Sequence, residues 1–173
     1  EGYVRIGLDH FALPDDTLAA AQREGRLRRN FQGYTTDSAQ TLLGLGASSI
    51  GSLPQGLVQN VAQELPCRDA VVAGDLPIAR GVALTDDDRF RAEIIERLMC
   101  DLSVDLAAVC ARHGRTLGDL AQELSALKRF ADDGLVEILE ARLTVSELGR
   151  LVVRSVCAVF DTYFTAEAGR HSK

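Results

Sequence analysis

Asp9 and His10 put a carboxylate beside an imidazole, a pair that can hold a substrate group or pass a proton. They follow directly on an apolar stretch that reads as a strand, and the C-terminal ends of strands in an α/β sheet or barrel face the active site. Four arginines, Arg23, Arg26, Arg28 and Arg29, crowd the next stretch. Arginine forks bind carboxylates bidentately, so Arg26, Arg28 and Arg29 are candidates for an anionic substrate, while Arg23 offsets the negative end of a helix. Phe31-Gln32-Gly33-Tyr34-Thr35-Thr36 gathers aromatics, an amide and hydroxyls in one loop, chemistry suited to stacking on and hydrogen-bonding a nucleoside. Gly44 and Gly46 do not make a dinucleotide fingerprint: the third glycine position holds Ser49, and the pair lies inside an expected strand. Those glycines instead allow close backbone approach. Ile50, near the end of that strand, is core or packs on a ligand's flat face. His113, before Gly114, and His171, in the tail, carry no chemistry at this stage.

Cys67, Cys100, Cys110 and Cys157 are too scattered for a zinc or cluster motif and read as buried small hydrophobes in a reducing cytosol. A net charge of −6 disfavours nucleic-acid and membrane-surface partners. No signal peptide is legible and no apolar run is long enough to span a bilayer, so the chain reads as soluble and cytoplasmic. With 46% hydrophobic residues, 173 residues can bury a normal core.

The elements that position these groups alternate at first. Gly2 to Leu8 reads as a strand, Leu18 to Arg23 as a helix stopped by Gly25, Thr41 to Ile50 as a buried strand and Leu57 to Glu64 as a polar helix. That order predicts parallel strands with covering helices. Leu76 to Leu84 reads as an extended connector, with a boundary near Thr85. The second half is helical, with hydroxyl–acid caps at Thr85/Asp88, Thr116/Asp119 and Thr144/Glu147. A short hairpin around Leu139-Glu140-Ala141 completes a winged-helix-like bundle. The expected organisation is an α/β piece over 1–84 and a mainly α domain over 85–173.

Tyr3, Gly7-Leu8-Asp9-His10-Phe11-Ala12, Asn30-Phe31-Gln32-Gly33-Tyr34-Thr35-Thr36 and Leu42-Leu43-Gly44-Leu45-Gly46 together resemble the oxygen-independent coproporphyrinogen III oxidases. Gly149-Arg150-Leu151 and Phe160-Asp161-Thr162-Tyr163 are later echoes. The resemblance implies the end of a radical S-adenosylmethionine barrel followed by a helical domain covering its mouth. It implies two S-adenosylmethionine molecules, a 4Fe–4S cluster and coproporphyrinogen III as substrate. Carried residue by residue, it places Phe31, Gln32 and Ile50 at S-adenosylmethionine contacts. The family's Cys-x3-Cys-x2-Cys motif is absent from the 173 residues, so the chain is expected to be an inactive C-terminal fragment that self-associates through exposed barrel edges. The alternatives are a paralogue acting on heme and a non-catalytic tetrapyrrole-binding module.

Overall fold

The computed structural model describes residues 2–164, so His171 lies outside the described residues. Contacts divide the chain into two compact units, one formed by residues up to Thr36 and from Arg89 onward, the other by Asp37–Asp88.

In the first unit, β1 (Val4–Ile6) turns back directly on β2 (His10–Ala12), with Ile6 opposite His10. Helix α1 (Thr17–Arg23) starts where the Asp16 carboxylate accepts the Leu18 N–H at 2.7 Å, satisfying an amide that the helix itself leaves unpaired. It buries Ala19 and Ala21, and Arg23 in its last turn donates to the Pro14 carbonyl at 2.9 Å. A second hairpin pairs β3 (Arg28–Asn30) with β4 (Gly33–Thr35), Asn30 opposite Gly33. Ile6, Ala12, Ala21, Leu27, Tyr34 and Cys100 share one buried cluster.

Helix α3 (Asp86–Asp101) supplies Cys100 to that cluster and Phe90, Ile94 and Leu98 to a larger one. Full burial of each such side chain stabilises by about 1.5–3 kcal/mol. The order after it is β8 (Ser103–Asp105), α4 (Leu106–Arg112), a 3-10 turn (Leu117–Leu120), α5 (Ala121–Asp132), β9 (Val136–Leu139) and β10 (Arg142–Val145). β10 lies between β8 and β9, antiparallel to both, and the expected hairpin turns at Glu140-Ala141. A second 3-10 turn (Gly149–Val152) leads into α6 (Val153–Ala158). Gly149 has no room for a side chain, since a Cβ there would lie 1.8 Å from the Leu135 carbonyl oxygen.

The second unit is a three-stranded antiparallel sheet, β5 (Ile50–Leu53), β6 (Gly56–Asn60) and β7 (Ile78–Ala83), with α2 (Glu64–Val72) between β6 and β7. The Thr85–Asp88 cap forms as expected, the Thr85 hydroxyl accepting the Asp88 N–H at 3.1 Å and the Asp88 carboxylate accepting the Thr85 N–H at 2.8 Å.

Several expectations change here. The strands pair antiparallel, because Gly7-Leu8-Asp9 and Phe31-Gln32 reverse the chain at once and leave no crossover for a parallel partner. Thr41 to Ile50 is not a strand: Leu42 makes one bridge to Ser52, and Ile50 opens β5 instead of ending a strand. Leu57 to Asn60 is β6, because Pro54-Gln55 makes a hairpin that pairs Leu53 with Gly56; the helix begins only at Glu64. The connector from Ile78 is β7, extended and hydrogen-bonded to β6. Thr144 lies within β10, and the cap falls to Ser146, whose hydroxyl accepts the Gly149 N–H at 3.0 Å.

His113 has a structural task. Its Nε2 lies 2.7 Å from Glu93, whose other oxygen accepts from Arg112 at 2.9 Å. Burial opposes ionisation of Glu93, but the hydrogen bonds from Arg112 and His113 outweigh it and hold the carboxyl below its ordinary 4.5. A depressed carboxylate stabilises the fold fully above its unfolded value, and that contribution is lost as pH falls through the lower folded value. Glu93→Gln is expected to lower stability by about 1 kcal/mol at pH 7. It should also make unfolding less steep in acid below about pH 4.5, which urea titration across pH measures.

Candidate functional site

The site grows from the turn between β1 and β2. Gly7 takes φ +53°, and its Cα packs under the Tyr34 ring. Tyr34 spans the turn: its hydroxyl accepts the Leu8 N–H at 2.9 Å and donates to the Met99 carbonyl at 3.0 Å. Burial pushes the Tyr34 phenol up, keeping it a neutral donor. Arg150, only 8% exposed, donates through Nε and Nη2 to the Gly7 carbonyl at 2.9 and 2.6 Å and through Nη2 to the Arg5 carbonyl at 3.2 Å. Arg5 in turn donates to the Leu8 carbonyl at 3.1 and 2.8 Å. With its amide oriented to satisfy both groups, Gln22 donates to the Arg5 carbonyl at 3.2 Å and accepts the Gly7 N–H at 3.1 Å. The turn is thereby held from four directions.

That scaffold presents Asp9 and His10. His10 Nδ1 lies 3.0 Å from the Asp9 carboxylate, and its ring stands edge-on to Tyr34 with centroids 5.1 Å apart. The hydrogen bond from His10 holds Asp9 below the ordinary carboxylate range against its slight burial, with further help from the charges of His10, Arg154 and Arg29. The far edge of the imidazole reaches the second hairpin, since a Cβ on Gly33 would lie 3.1 Å from Nε2. Phe31 and Gln32 are the two tip residues of that hairpin, both exposed. The Asn30 side chain accepts the Gln32 N–H at 2.9 Å and fixes the tip. The Arg29 guanidinium lies 5.7 Å from the Tyr34 centroid. Asp9, His10, Arg29, Phe31 and Gln32 are thus grouped around one buried tyrosine. An exposed aromatic face and an amide at a rigid tip can hold a nucleoside, with an acid–imidazole pair alongside for proton transfer.

The remaining candidates fall elsewhere. Arg26 pairs with Glu24, and Arg28 donates to Glu96 at 2.9 Å. Ile50 belongs to the second unit, half-buried and opposite Gln59. The expected close approach at Gly44 is present: a Cβ there would lie 2.9 Å from the Ile50 carbonyl. Asn60 donates to the Gly46 carbonyl at 2.9 Å, bracing the same loop.

Two essential parts escaped the sequence reading. The bracing role of Tyr34 was hidden inside the loop motif. Arg150 was noted only as an echo, although a lone cation opening the apolar run Leu151-Val152-Val153 is a signal for a buried, partnered charge. All four cysteines are free and buried, and burial pushes the Cys100 and Cys157 thiols up to about 12. Among the described residues no group of three His, Cys, Asp or Glu could hold a metal ion.

Residues 84–152 match the HemN C-terminal domain family. The oxygen-independent coproporphyrinogen III oxidase of Bradyrhizobium diazoefficiens is 51% identical over 99% of this chain and 38% of its own length. That of Cereibacter sphaeroides is 43% identical over 96% of this chain and 37% of its own. Coproporphyrinogen III oxidase (HemN) from Escherichia coli, described as a radical SAM enzyme, matches in structure with a TM-score of 0.89 and 41% identity, covering 94% of this chain and 38% of that one. The chain therefore spans less than two-fifths of the length of these relatives. Residues 84–152 thus carry a HemN C-terminal domain, and nearly the whole chain is similar to the C-terminal part of oxygen-independent coproporphyrinogen III oxidases.

Proposed function

We propose that this chain is the C-terminal portion of an oxygen-independent coproporphyrinogen III oxidase, the cytoplasmic enzyme that oxidatively decarboxylates two propionates of coproporphyrinogen III to vinyls, giving protoporphyrinogen IX. The observation that carries the reading is the grouping of Asp9 and His10 beside the Phe31-Gln32 tip. In this reading residues 1–84 end a barrel and residues 85–173 form a winged-helix-like domain. The order helix, strand, two helices and hairpin supports the second assignment.

The residues present fit S-adenosylmethionine. Phe31 offers an exposed ring for the adenine and Gln32 an amide for its polar edge, while Ile50, in the second unit, is by itself an apolar group that such a ligand could touch. When bound, two such molecules supply the hydrogen-abstracting radical chemistry. The chain's own task is to hold the nucleoside at the Phe31-Gln32 tip and to keep Asp9 and His10 oriented for a substrate carboxylate or its proton. The residues do not fit a 4Fe–4S cluster, because the cysteines are separate and buried. The cluster belongs to another part of the full-length enzyme in this proposal, and the isolated chain is inactive.

The test uses the complete enzyme, reconstituted anaerobically and supplied with coproporphyrinogen III. Release of 5′-deoxyadenosine and formation of protoporphyrinogen IX are expected, with Gln32→Ala slowing both by about tenfold, the effect of one lost polar contact. No release from wild type sinks the reading.

The isolated chain is also expected to self-associate. Leu43, Leu45, Val72 and Leu76 of the second unit are each at least 70% exposed, and large apolar groups beside open strand edges favour pairing with a second copy. Sedimentation should show mass rising with concentration, and one monomeric species throughout would contradict this.

A further inference from the structure

Most arginines of this acidic chain are satisfied. Arg28 donates to Glu96, Arg91 to Glu123, Arg97 to Asp101, Arg112 to Glu93, and Arg150 to two carbonyls. No carboxylate or carbonyl acceptor is found among the described residues for Arg29, Arg129 or Arg154. These three are not scattered. Arg129 and Arg154 line one cleft of about 660 Å³ between α5 and α6, a volume within the range of small-molecule sites. Arg154 and Arg29 both act electrostatically on Asp9, so the cations continue from the cleft toward the Asp9–His10 pair. Ala126, Ala158, Val159 and Phe164 give the cleft an apolar share of its lining, and Gln122 and Ser155 add an amide and a hydroxyl. Glu123, the one acid among its described lining residues, is paired with Arg91 at 2.7 Å. Guanidiniums without a carboxylate partner among the described residues, beside apolar side chains, suit an anion with a hydrophobic body.

We propose that Arg129 and Arg154, extended by Arg29, anchor the carboxylates of an amphipathic polycarboxylate whose apolar body lies on the α5–α6 cleft. The identity of that ligand as a propionate-bearing tetrapyrrole rests on the function proposed above; the carboxylate anchor does not. Arg129 and Arg154 bind and orient in this role and take no part in the chemistry.

The probe is coproporphyrin III, the air-stable aromatic tetracarboxylate, titrated by fluorescence into this chain and into the full-length enzyme. Wild type is expected to bind it with an affinity that falls as salt rises. Arg129→Gln and Arg154→Gln should each weaken binding about three- to tenfold, as loss of a charge-assisted pair does at a half-open site. Arg68→Gln, which removes an exposed cation paired with Asp69 in the second unit, should bind as wild type does. The tetramethyl ester of the porphyrin, with its carboxylates masked, should not compete. Equal affinity in the Arg129→Gln/Arg154→Gln double variant, or ester binding as tight as the acid, overturns the proposal and marks the porphyrin as adsorbed nonspecifically. In the full-length enzyme the same double variant should raise KM for coproporphyrinogen III with kcat little changed. Turnover with an unchanged KM leaves the oxidase reading standing and removes the anchor. Arginine-dependent porphyrin binding in an enzyme without turnover keeps the anchor and removes the oxidase reading.

Discussion

Gly7→Ala is expected to destabilise the first unit by about 3 kcal/mol or more, the largest effect of any single change at the site. Two costs add. An alanine at φ +53° occupies the left-handed region, costing roughly 1–2 kcal/mol. Its Cβ would lie 2.0 Å from Cζ of Tyr34, well inside contact distance. The ring cannot move aside cheaply, because its hydroxyl is tied to Leu8 and Met99. Overpacking of this kind costs about 1–3 kcal/mol. Gly25→Ala separates the two costs: it has a similar φ, +64°, but open space around it, so only about 1–2 kcal/mol is expected there. Urea unfolding followed by tyrosine fluorescence measures both. A Gly7→Ala loss no larger than that of Gly25→Ala would show that the turn yields to the methyl group.

Arg150→Met comes second. It removes the donors to the Gly7 carbonyl and one donor to the Arg5 carbonyl while keeping much of the apolar stem. Buried carbonyls left without a charged donor cost about 2–3 kcal/mol. Part of that is returned, because burial already disfavours the Arg150 charge and holds its pKa below the usual value. The expected net loss is about 2 kcal/mol. The Leu8 amide, bonded to the Tyr34 hydroxyl, should exchange faster as the turn loosens. Arg150→Lys should recover little, since an ammonium cannot reproduce the planar fork. A merely space-filling Arg150 would give Met and wild type the same Leu8 exchange rate.

Much of this molecule is legible in local sequence. The α1 stop at Gly25, the Thr85/Asp88 and Thr116/Asp119 caps and the hairpin at Glu140-Ala141 each depend on residues within a few positions of one another. Short-range chemistry of that kind is written in the chain. The same is true of the buried cysteines and of the composition of the Phe31-Gln32 loop. Strand direction was misjudged because alternation of apolar segments does not say which partner a strand takes; the tight turns at Gly7-Leu8-Asp9, Phe31-Gln32 and Pro54-Gln55 decided it. Thr144 misled for a related reason: a hydroxyl three residues before an acid caps a helix only where the backbone is leaving a strand, and β10 runs one residue further.

What the sequence by itself determined was the inventory of the site and its family resemblance: an acid–imidazole pair, an aromatic–amide tip and a cluster of arginines. Only the tertiary structure decided which of these act together. Arg150 reaches the Gly7 turn across 143 positions, and Tyr34 reaches Met99 across 65. Arg28 is taken up by Glu96, 68 positions away, whereas Arg29 next to it stays over Tyr34. Contacts at such separations depend on where packing brings the elements, and residue types and spacing along the chain do not encode that position locally.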